Sequence, residues 1–157
     1  MTRLRGRAPR GQRVHAKRPQ GHWNTTTIIG SMRLDGSTAC ATIEGATDAE
    51  VFELYVRSVL APTLRPGDIL VLDNLSPHKS QPALSLIAQA GAEVRFLPAY
   101  SPDLNPIENM WSKVKASLRA AEARTQAALV EAIGSALRSV TRQDAMNWFA
   151  HCGYSFI

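Results

Sequence analysis

The 157-residue chain has little cysteine and no long apolar run. Its two cysteines, Cys40 and Cys152, lie far apart with no second pair. That excludes a thiolate zinc site, argues against a disulfide framework and suits a reducing cytoplasm. No stretch approaches eighteen uncharged apolar residues, so no membrane-crossing helix and no membrane partner is expected. The N-terminus is basic but lacks the apolar core of a secretory leader. Acid is also scarce where base is dense. Arg3, Arg5, Arg7, Arg10, Arg13, Lys17 and Arg18 fall in the first eighteen positions with no acidic residue among them. With a net charge of +5 and a pI near 9.7, the chain favours polyanions, because phosphates release counterions on contact with such a surface.

What is present reads as one globular domain over 1–157, with a basic segment at 1–22 and C-terminal helices at 120–157. A short strand is expected around Arg13–Lys17. Residues 24–34, NTTTIIGSMRL, read as a strand, Asp35-Gly36 as a two-residue hairpin turn, and 37–44 as the returning partner. Thr47 with Glu50 makes a capping box for a helix that Pro62 closes. The continuous apolar run ILVLD at 69–73 suits a strand covered on both faces. A helix over 80–90, a strand over 93–97 and helices over 106–119, 125–139 and 142–150 complete the order. The expected class is α/β, a mixed sheet flanked by helices. Sites in such sheets lie beyond the carboxyl ends of parallel strands, where Asp73 stands.

Glu108 is the second acid of interest, in SPDLNPIEN. Asn105, Pro106 and Glu108 fit an N-cap, a first helical position and a capping partner. Helical angles offer another reading. Ile107, Met110, Trp111, Val114 and Leu118 form one apolar stripe, and Glu108 lies at its edge. Ser112, Lys115 and Arg119 project within about 40° of Glu108 at about 100° per residue. A carboxylate at the core edge with cations trailing from it suits a metal ligand beside a phosphate track. Two-metal phosphoryl transfer needs carboxylates converging on hard cations about 3.5–4 Å apart.

The stretch LVLDN, then His78-Lys79, then FLPAYSPDLNPIEN before an amphipathic helix resembles the catalytic domain of Tc/mariner-type DDE transposases, in their bacterial insertion-sequence branch. Thirty-four residues lie between Asp73 and Glu108, a spacing typical of that superfamily. The resemblance implies a ribonuclease H-like fold and magnesium- or manganese-dependent cleavage and joining of DNA strands. It makes Asp73 the second acid of the catalytic triad and Glu108 the third. It makes Asn74, His78 and Asn105 residues that shape the site. Arg3, Arg5, Arg7, Arg10, Lys79, Lys113, Lys115 and Arg119 are then expected to neutralise DNA phosphates. Transposon ends and target DNA are the implied partners, with a homodimer or a full-length transposase as protein partner, in a bacterial cytoplasm at the nucleoid.

One family feature is missing. The first aspartate of the triad belongs on a strand upstream of the RGRAPRG segment, and this chain starts past that point. Asp35, Glu44, Asp48 and Asp68 fall in a turn, a strand end, a helix start and a turn, so none replaces it. The absent strand is expected between the meander and the Asp73 strand, leaving two apolar edges unpaired. A catalytically inactive DNA-binding remnant is therefore the rival expectation, and a host ribonuclease of the same fold a third.

Overall fold

The computed structural model describes residues 6–15 and 25–155. Residues 6–15 are exposed, with a turn at Arg10-Gly11 closed by Gln12 N–H on the Pro9 carbonyl at 3.0 Å. The strand expected near Arg13 does not form over Arg13–His15, and its remainder lies outside the described residues. An exposed segment with no neighbouring ladder leaves an extended conformation without cross-strand partners.

Strands β1 (Thr26–Met32) and β2 (Thr38–Glu44) pair antiparallel, from Thr26 opposite Glu44 to Met32 opposite Thr38. Their loop is one residue longer than expected. Arg33 N–H donates to the Ser37 carbonyl at 2.9 Å and Gly36 N–H to the Arg33 carbonyl at 3.0 Å. Leu34, Asp35 and Gly36 therefore form a three-residue loop whose last position is left-handed, with Gly36 at φ +86. A Cβ there would also sit 2.7 Å from the Thr141 backbone, so only glycine fits. Side chains alternate along β1. Ile28 and Met32 pack on one core and Ile29 on the other, as a period of two requires.

The first core holds Phe52, Tyr55, Val56, Leu60, Ala83 and Ile87. It is built by helix α1 (Ala49–Tyr55) with its π-helical and 3₁₀ continuation to Thr63, and by α2 (Gln81–Gln89). The α1 cap is Asp48, whose side chain accepts from Val51 N–H at 2.9 Å, in place of the expected Thr47–Glu50 box. Starting one residue later aligns a carboxylate with the helix N-terminus. Parallel strands β3 (Ile69–Leu72) and β4 (Glu93–Phe96) flank α2 in sequence, with Leu70 and Val94 packed on this core.

The second core holds Met110, Val114, Leu118, Ile133, Ala136 and Val140, from α3 (Pro106–Ala121), α4 (Gln126–Arg138) and the turn after it. Helix α5 (Arg142–His151) starts from a complete capping box between Thr141 and Asp144. The expected mixed α/β class is what the structure shows. Among the described residues its strands form two separate pairs, β1–β2 and β3–β4. Arg33, just past β1, reaches across to both carboxylate oxygens of Asp68, just before β3, and to the Thr63 carbonyl. That bond holds Asp68 below the usual carboxylate range.

Candidate functional site

A cavity of about 380 Å³ separates the two strand pairs. Residues 28–32 of β1 line one side and residues 69–73 the other. The Arg33–Asp68 pair joins one end of β1 to the start of β3, so Asp73 stands at the opposite end of β3. His78, Asn105, Glu108 and Trp111 also line the cavity. The walls are mostly apolar, and Asp73 and Glu108 are both among the lining residues.

Each acid is placed by a rigid element. Asp73 follows the last residue of β3, where the ladder continues only through Leu97 N–H on the Leu72 carbonyl at 2.8 Å. Asn74 donates its side-chain amide to the Leu97 carbonyl and so joins the ends of β3 and β4. Asp73 Oδ1 accepts from Leu75 N–H at 3.2 Å and from His78 Nδ1 at 2.6 Å. The His78 ring lies 4.6 Å from the Phe52 ring, which is fully buried.

Glu108 sits in the first turn of α3, the helix that follows SPDLN. Asn105 occupies the cap position but its side chain makes no capping bond. Among the described residues no hydrogen bond or ion pair engages the Glu108 carboxylate. The capping box expected from Asn105 and Glu108 is therefore absent, and Glu108 is an exposed residue of the cavity lining. The stripe of α3 is as its sequence implies, with Met110, Val114 and Leu118 buried.

The cations divide. Lys79 and Lys115 are exposed, Arg119 is half-buried, and Arg7 and Arg10 are exposed on the N-terminal segment. Arg3 and Arg5 lie outside the described residues. Lys113 is engaged elsewhere. Its ammonium donates to the Ser139 carbonyl at 2.8 Å and to Asp144 Oδ2 at 2.6 Å, which ties α3 to the start of α5. That bond, with those from Thr141, pushes the Asp144 carboxyl down to about 2.

Two contacts around the site carry no signal in the sequence. Phe52 under His78 comes from the first helix, and no motif in the sequence singles it out. Tyr154 donates its hydroxyl to the Leu104 carbonyl at 3.0 Å, and so pins the C-terminal segment to the loop before α3. Both cysteines are free, and burial pushes the Cys40 thiol up to about 11, as expected of small apolar packing residues.

Magnesium takes few protein oxygens and completes its shell with water and substrate, so two carboxylates on one cavity fit it in donor type. Among the described residues no three His, Cys, Asp or Glu side chains cluster in a way that would hold an ion alone. No helix of the described residues is long and apolar enough to cross a membrane.

A family model described as DDE superfamily endonuclease matches residues 1–130. A 57-residue stretch is 48% identical to human histone-lysine N-methyltransferase SETMAR, over 36% of this chain and 8% of that protein. The chain thus spans a small part of that relative's length.

Proposed function

This chain belongs to the DDE superfamily endonucleases, and from that membership we propose that it is the strand-cutting part of a bacterial insertion-sequence transposase, with Asp73 and Glu108 as its cation ligands. The observation that carries the reading is the unused Glu108 carboxylate, which lines the same cavity as Asp73 instead of capping its helix. Asp73 offers Oδ2, and Glu108 offers both oxygens. Asn74 and His78 keep the Asp73 loop against β4 and α1. Lys79, Lys115 and Arg119, with Arg7 and Arg10, neutralise DNA phosphates, while Lys113 serves the packing of α3 on α5.

Bound magnesium or manganese supplies Lewis acidity at the attacked phosphate and at the departing oxygen. In the first step water attacks phosphorus at a transposon end and the bond to the 3′-oxygen breaks, freeing a 3′-hydroxyl. In the second, that hydroxyl attacks a target phosphate and displaces a 3′-oxygen there. The residues of this chain hold the phosphates and present carboxylates from two rigid elements.

The absence of a third converging ligand among the described residues favours a second reading, a DNA-binding protein that does not cut. Nicking of supercoiled plasmid in manganese separates the two. Cutting that disappears in Glu108→Gln while DNA retention stays intact supports the nuclease. Retention of DNA without cutting at any manganese concentration supports the binding protein.

A further inference from the structure

Asp73 is held by one oxygen only. Oδ1 accepts from the Leu75 N–H at 3.2 Å and from His78 Nδ1 at 2.6 Å, and among the described residues nothing engages Oδ2. A carboxylate only accepts, so the proton in the shorter bond resides on His78 Nδ1. His78 is itself fixed. It sits in the short 3₁₀ turn Ser76–Lys79, its side chain is 19% exposed, and its ring packs on Phe52 at 4.6 Å. Phe52 is 2% exposed in the first core. A chain of contacts therefore runs from that core, through one imidazole, to a single oxygen of the carboxylate.

We propose that His78 is a positioning residue that makes Asp73 a one-oxygen ligand and thereby favours small octahedral cations over calcium. The inference rests on the reading of Asp73 as an ion ligand. A carboxylate with one oxygen doubly engaged presents the other alone. Magnesium demands a near-ideal octahedron and takes carboxylates through single oxygens, whereas calcium has a larger, looser shell that readily takes both. Releasing Oδ1 would let the carboxylate rotate and offer both oxygens, which calcium uses better. Partners that orient a ligand from behind typically govern affinity as well as geometry.

Two substitutions separate the hydrogen bond from the packing. His78→Asn keeps a donor in the place of Nδ1 but loses the ring on Phe52. His78→Phe keeps a ring on Phe52 but loses the donor. Manganese binding to the whole chain is read by water-proton relaxation, with magnesium and calcium as competitors, and folding is checked by circular dichroism. His78→Phe is expected to weaken manganese binding roughly tenfold and to move the magnesium-to-calcium preference toward calcium. His78→Asn is expected to stay near wild type in both. The proposal is overturned if His78→Phe keeps the wild-type affinity and preference, or if His78→Asn falls as far as His78→Phe. A wild-type chain with no saturable manganese site overturns this proposal and the nuclease reading together. Equal binding by all three proteins overturns only the role of His78.

Discussion

The helical half of the molecule and its strands solve the same problem with unequal success. In α3, α4 and α5 the interior backbone groups pair within their own helix, so what remains is capping the ends and packing. Met110, Val114 and Leu118 do it against Ile133 and Ala136, and Lys113 with Asp144 adds a polar tie. The strands cannot finish alone. β1 has β2 on one edge and β3 has β4, but among the described residues no strand lies between β1 and β3 across the cavity. A helix completes itself locally, and a strand is only as complete as its neighbours. The candidate site sits where those two kinds of element meet, with Asp73 from a strand end and Glu108 from a helix start.

The largest effect that would test this contrast is in the cores. Met110 is fully buried, so Met110→Ala is expected to lower stability by about 2–5 kcal/mol. Ile69 is 63% exposed on the cavity-side strand, and Ile69→Ala is expected to change stability by only about 0.5 kcal/mol or less. Urea midpoints compare the two, and equal losses would erase the distinction between a finished half and an unfinished one.

Acid should also find the helical half. The Asp144 carboxyl is held at about 2, first by the Lys113 hydrogen bond and then by Thr141. A carboxyl depressed in the folded state adds stability above its unfolded value, near 3.9, and loses it as pH falls through the folded one. Thermal midpoints should therefore drop between roughly pH 4 and pH 2. In Asp144→Ala that drop should shrink, and stability at neutral pH should be about 1 kcal/mol lower for the lost bonds to Lys113 and to the Thr141 N–H. Asp68, depressed by Arg33, contributes in the same direction.

The smallest effect is the most local. Amides of β1 and β3 that point away from β2 and β4 should exchange with solvent faster than those in the two ladders. Slow exchange on both edges of each strand would mean that the groove is closed in solution.

Much of this architecture was legible in the chain. Among the described residues the helices and strands fall close to where periodicity and turn residues put them, because each has a local signature; the strand expected near Arg13 had none beyond its length. Glu108 was legible as a choice between cap and ligand, and only the tertiary structure, with an idle Asn105 side chain, shows that no cap forms. Lys113 reads as one of several cations on α3. Its partner Asp144 lies thirty-one positions later, and nothing in the spacing announces the pair. The same holds for Phe52 beneath His78 and for Tyr154 on Leu104. Contacts between elements distant in sequence leave no periodic trace, and these are the contacts that aim the site's side chains.

The central claim is that the side chains of Asp73 and Glu108 grip the same cation. Manganese affinity of the wild-type chain, Asp73→Asn, Glu108→Gln and the double variant, by water-proton relaxation, tests it most directly. Ligands to a shared ion act as a unit, so each single change should remove most of the binding and the double should be little worse than either. Wild-type affinity in Glu108→Gln would contradict the claim.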